Sequence, residues 1–271
     1  MAGCALALAT DGFDQLIYRW AHILGGVAWI GMLYGFLLVH QQAAAALDSE
    51  ARRRMVLQVV PRTVFWFQWA SLLTWASGAA LLAKLYYSSG SSPLMYAATS
   101  PSSGTHFSWE RIGLVLLSMV GAWLVYECGA LVAGRHAVPS YLLLCALAVG
   151  YGTLLERHFE LSQRAILIHL GTLLGTTMAI NVWLRVAPAL LAQSSALARG
   201  QTPDARGLEH AASRSRHNLY LSIPLLLLMV GVHQEALLGA RPWQIPVGAM
   251  LMLGLLVGWA LQRGSALVRG T

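Results

Sequence analysis

Long apolar runs alternate with short polar connections along the whole chain. Seven runs of about 20 residues, the length that crosses a hydrocarbon core, lie near 16–38, 63–85, 111–133, 138–155, 164–189, 218–235 and 244–262. Each is too long and too continuously apolar for a strand. The pattern therefore predicts an all-α fold, a polytopic membrane helix bundle of about seven transmembrane helices, with 1–271 forming a single integral membrane domain. Connections at 41–62 and 190–217 read as loops. The stretch 88–109 is rich in Ser, Gly and Pro and reads as an irregular loop. The N-terminal stretch has no basic n-region and turns polar over 10–14, unlike a signal peptide.

Composition agrees with that picture. The 271 residues are 57% hydrophobic and 11% charged, with a mean hydropathy of +0.59, whereas a soluble domain carries about 25% charged residues. Cys4, Cys128 and Cys145 form no CxxC pair and no CxxCH site, which argues against a zinc ribbon or a covalent c-type haem in this chain. The net charge of +7 comes from arginines beside the apolar runs, so it points to membrane topology and away from nucleic acid. Arg52, Arg53, Arg54, Arg62, Arg135, Arg199, Arg206, Arg214, Arg216, Arg263 and Arg269 fall on one side of a seven-span topology. Arg19, Lys84, Arg111, Arg157, Arg164 and Arg241 fall on the other. The richer side is the cytoplasmic one, with the N-terminus outside and the C-terminus in the cytoplasm of a bacterial-type inner membrane. Small-xxx-small pairs at Gly31/Gly35, Gly171/Gly175 and Gly254/Gly258 permit close helix contact.

Polar residues inside the runs mark candidate chemistry, because ionisable groups in hydrocarbon are costly and are usually paired or functional. At about 1.5 Å per residue, His22 in the first run, His169 in the fifth and His233 in the sixth all fall in the outer half. Two neutral imidazoles at matched depth, His22 and His169, suit a bis-histidine haem b, with His233 as an alternative ligand or a group beside the haem edge. Each histidine alone reads equally as a cross-helix hydrogen bonder. A second polar group gathers in the inner half: Gln68, Glu127, Asn181, Arg185, His217 and Asn218. It reads either as a structural Glu127–Arg185 pair or as a pocket for a small anionic or amide-bearing substrate, with His217 as a proton carrier. Trp20, Trp66, Trp69, Trp109 and Trp243 lie near run ends, as an interfacial aromatic belt does. Trp29, Trp75, Trp123 and Trp183 lie deeper and read as core packing.

Three segments carry a family resemblance. WAHILGGVAWIG at 20–31, GTTMAINVW at 175–183 and SRHNLYLSIP at 215–224 resemble motifs of the membrane-bound urate hydroxylase family, whose membrane portion is the urate oxidase N-terminal domain. The resemblance covers most of the chain and is most specific in the last two segments. It implies oxidation of urate to 5-hydroxyisourate, with Asn181, Arg185, His217 and Asn218 at the substrate and electrons leaving through haem to a cytochrome c. Better-known members carry that cytochrome fused after a further span. With no CxxCH here, the expected acceptor is a separate c-type cytochrome. A reading from another class is a haem-binding, assembly or interaction subunit of a respiratory membrane complex without urate activity. A transporter is a third, although no internal repeat is visible.

Overall fold

A computed structural model describes residues 2–87, 94–96, 108–133 and 136–267, with side chains described between 12 and 265. The described residues are helical, with no strand beyond an isolated antiparallel bridge between Tyr96 and Leu161. In chain order the helices are α1 (Ala2–Tyr34), α2 (Gln41–Ala46), α3 (Ser49–Gln58), α4 (Val60–Leu82), α5 (Trp109–Ala133), α6 (Ala137–Arg157), α7 (Gln163–Asn181), α8 (Ala187–Ala198), α9 (Ala205–Gly231), α10 (Glu235–Leu238) and α11 (Gln244–Leu267). Three π-helical segments, Gly35–His40, Ala83–Tyr87 and Val182–Val186, join or extend them. The one at Val182–Val186 has a readable cause. Pro188 has no N–H to give to the ladder, and the Ala187 N–H reaches back to the Val182 carbonyl.

Long helices stand at all seven predicted places. Five stretches are long and apolar enough to cross a membrane: Gly12–Ala46, Trp109–Ala133, Ala137–Arg157, Gln163–Ala198 and Gln244–Ser265. The chain is an integral membrane protein. The other two places belong to α4 and α9, which turn polar side chains into the bundle. α4 buries Ser71, Thr74 and Ser77; α9 buries Ser213, Arg214, Ser215, His217, Asn218 and Ser222. The expected irregular loop at 88–109 falls largely outside the described residues.

Two expected loops are partly helical. Within 41–62, Asp48 caps α3 by accepting the Ala51 N–H at 2.8 Å. Within 190–217, α8 continues to Ala198, and α9 begins behind Asp204, whose carboxylate accepts the Arg206 N–H at 3.0 Å. The arginines there tie main chain to main chain: Arg52 donates to Ala44 and Leu47 carbonyls, and Arg53 to that of Leu197.

Glycines set the closest helix crossings. A Cβ on Gly254 of α11 would lie 2.6 Å from the Tyr220 carbonyl and 2.5 Å from Pro224 Cδ. Pro224 lacks the N–H that would have bonded that carbonyl, so α11 packs where α9 is already opened. Gly171 meets Met229, and Gly78 meets the His22 ring. Gly31 and Gly35 meet nothing within 4 Å, so only two of the three small-residue pairs make a crossing. Trp243 is not an interfacial anchor. It is fully buried and donates to Glu156 at 2.8 Å.

Candidate functional site

Glu127 of α5 is the electrostatic centre of the arginine-rich end. Its Oε1 accepts from Arg185 Nε at 3.1 Å and from Arg185 Nη2, and its Oε2 lies 3.0 Å from Arg214 Nη2. One carboxylate thus faces two guanidiniums, leaving one surplus positive charge. Arg214 is buried, whereas the Arg185 side chain is 40% exposed. The predicted Glu127–Arg185 pair is present, and it forms one side of a larger cluster.

Tyr126, one residue earlier, joins that charge to the buried amides. Its hydroxyl accepts from Arg214 Nη1 at 2.9 Å and from Asn181 Nδ2 at 3.2 Å, and it lies 2.9 Å from His217 Nδ1. Asn181 Nδ2 also donates to Asn218 Oδ1 at 2.9 Å, and Asn218 Nδ2 donates to the Met178 carbonyl at 2.9 Å. His217 Nε2 is 2.7 Å from the Ala137 carbonyl. Asn181 Oδ1 is buried without a hydrogen-bond partner. Such an orphan acceptor costs about 1–3 kcal/mol unless something donates to it.

The structure therefore brings Asn181, Arg185, His217 and Asn218 into one site, as their depths predicted. Gln68 is not in the hydrogen-bonded cluster; its carbonyl accepts from Ser71 Oγ at 2.8 Å. Two members were missed. Arg214, which falls within the predicted 190–217 loop, is buried in α9. The Asp204 cap and the Arg214/His217/Asn218 spacing of one helix face were the available signals. Tyr126 carried none beyond its neighbour Glu127.

The histidines expected near a haem lie toward the other end. His22 Nδ1 donates to the Thr74 carbonyl at 2.8 Å, which leaves the lone pair of a neutral imidazole on Nε2. His169 is fully buried. Its Nδ1 donates to the Ala165 carbonyl at 2.7 Å, and its Nε2 receives the Tyr87 hydroxyl at 2.6 Å. Nδ1 held by a carbonyl is the tautomer that iron ligation requires; His22 keeps its Nε2 lone pair for a ligand, whereas that of His169 is taken by Tyr87. On His169, Tyr87 competes for the ligating nitrogen. The two rings are seated on different parts of one structural column, His22 on Thr74 and Gly78 of α4, His169 on the π-helical Tyr86 and Tyr87 that follow it. His233 is exposed in the turn after α9. Of the four tryptophans expected in the core, Trp29 is buried but Trp75 is 45% exposed; Trp75 donates to Thr176 Oγ1 and Trp183 to Ser71 Oγ, each at 3.1 Å, tying α4 to α7 and its extension.

Comparison with known proteins points one way. The family model described as urate oxidase N-terminal matches residues 49–263, a stretch that contains the whole Glu127–Asn181–His217 cluster. No curated protein and no solved structure matches the chain.

Proposed function

The chain belongs to the urate oxidase N-terminal family, and on that premise we propose that it oxidises urate to 5-hydroxyisourate at the Asn181 cluster. Haem would supply the electron carrier between that cluster and a separate c-type cytochrome. The observation that carries this reading is the surplus positive charge around Glu127 beside the unpaired Asn181 Oδ1. A planar monoanion bearing ring N–H groups complements both. Its charge balances the Glu127–Arg185–Arg214 group, and one N–H supplies the donor that Asn181 Oδ1 lacks.

The roles divide by geometry. Arg185, the more exposed guanidinium, attracts and orients the anion at the mouth. Asn181 and Asn218 read its amide edge, with His217 set behind them through Tyr126. His22 and His169 are the residues that would hold haem b, with His233 as the alternative ligand, and haem supplies the electron carrier that no side chain here provides. The arginine-rich end faces the cytoplasm in this reading, with the N-terminus outside a bacterial-type inner membrane.

The test is a reduced-minus-oxidised spectrum of purified protein with and without urate. Urate should reduce the haem of the wild-type protein. Asn181→Leu should abolish that reduction while dithionite still gives the normal spectrum. His22→Ala and His169→Ala should each lose or shift the absorption. Reduction by urate at the normal rate in Asn181→Leu would move the substrate elsewhere, and unchanged spectra in both histidine variants would move the haem.

A further inference from the structure

Resting on the reading above, we infer that Asn218 and His217 are positioning residues that lock the Asn181 amide in one orientation. Its carbonyl oxygen is then the group offered to substrate, and the site selects a ring N–H at that point. The chain has two asparagines, Asn181 and Asn218, and they face each other at 2.9 Å. Asn181 is 1% exposed and Asn218 not at all. An Asn amide has a donor end and an acceptor end of nearly equal size, so its partners alone decide which way it points.

Two main-chain carbonyls decide it for Asn181, by separate routes. The first is that of Met178, within α7. A carbonyl only accepts, so the Asn218 atom 2.9 Å from it is Nδ2. Asn218 thereby turns Oδ1 toward Asn181, which meets it with Nδ2. The second is that of Ala137, at the start of α6. It takes the N–H of His217 Nε2 at 2.7 Å, which in the neutral ring leaves the lone pair on Nδ1. The Tyr126 hydroxyl, 2.9 Å from Nδ1, donates there. Its oxygen can then only accept, and it takes Arg214 Nη1 and, again, Asn181 Nδ2. Turning the Asn181 amide over would set its oxygen against Asn218 Oδ1 and against a phenol with no proton left to give.

Both N–H groups of Asn181 Nδ2 are thus used inside the cluster, while Oδ1 has no partner among the described residues. No proton moves along these bonds. They fix a polarity, and Asn218 and His217 act on the substrate only through Asn181. A substrate carbonyl placed at Oδ1 would set oxygen against oxygen, whereas a ring N–H makes the missing bond. Urate carries ring N–H groups beside its carbonyls. Methylating the one that faces Asn181 should weaken binding about 10- to 100-fold, the effect of leaving a buried acceptor unpaired.

The experiment is infrared spectroscopy of the full chain carrying ¹³C at the side-chain carbonyl of asparagine, with urate binding followed by titration. Only Asn181 and Asn218 take the label. Hydrogen bonding lowers a carbonyl stretch, so the ligand-free protein should show two labelled bands, the higher one from Asn181 and missing in Asn181→Leu. Saturating urate should lower that band and leave the other in place. Among the ring-N-monomethylated urates, the one blocked at the facing N–H should bind most weakly and leave the band high. Either constraint alone holds the amide, so Asn218→Leu and His217→Phe should each keep the high band. The double variant frees the Tyr126 hydroxyl to donate to a turned amide, and the band should fall with no urate present. If the double variant does not fold, the wild-type spectra decide. Absence of the high band from ligand-free wild-type protein would overturn the lock, as would a high band that bound urate does not move. Wild-type protein that binds no urate would instead overturn the functional reading, with the ligand-free spectrum still deciding the lock.

Discussion

Arg214 of α9 lies 3.0 Å from Glu127 of α5, and both side chains are almost wholly withdrawn from the surface. Arg185 holds the same carboxylate from its other edge but is 40% exposed. The three are therefore unequal partners. Removing one member of a buried ion pair strands the other and costs about 3–5 kcal/mol. An exposed pair contributes about 1 kcal/mol or less.

Glu127→Gln should accordingly be the most destabilising change in the cluster, because it strands the buried Arg214 guanidinium. Arg185→Gln should cost far less stability while weakening the affinity for urate. Thermal unfolding in detergent, followed by tryptophan fluorescence, checks the order. Equal losses for the two variants would mean that the pairs share one environment.

Gly254 and Gly31 should respond oppositely to the same methyl group. At Gly254 a Cβ would sit 2.6 Å from the Tyr220 carbonyl, while at Gly31 it would meet nothing within 4 Å. Gly254→Ala should lose about 1–3 kcal/mol through overpacking. Gly31→Ala should be neutral or slightly stabilising, as glycine is a poor helix residue. The measurement is again the unfolding midpoint, and a neutral Gly254→Ala would show that α9 and α11 separate freely.

A fluorescent protein fused after Thr271 should glow, and alkaline phosphatase fused at the same point should be inactive. The ground is the arginine asymmetry between the two ends of the bundle. Arg214 lies buried against Glu127 and does not contribute to it, but Arg52, Arg53 and Arg54 on α3 remain, as does Arg199. Active phosphatase would place that end outside and reverse the orientation.

Hydropathy alone located the seven long helices, though not the short ones in the connections, because a run of apolar residues longer than a strand must satisfy its backbone within itself when no water is at hand. It also brought Asn181, Arg185, His217 and Asn218 to one depth, since adjacent runs reverse direction and rise by a constant step. Rotation about each helix axis was not legible in the same way. Where nearly every position is apolar, no periodicity says which face meets which neighbour. Thus Arg214 looked like a loop charge until α9 was seen to start at Ala205, and Tyr126 looked like any other aromatic residue. The tertiary structure alone turned Tyr126 toward His217 and set the Ala137 carbonyl against Nε2. It likewise put Tyr87 on His169, because the π-helical end of α4 aims that hydroxyl at the ring. These are contacts between helices far apart in sequence, and packing chooses them through the few groups, such as Pro224 and Gly254, that let backbones approach.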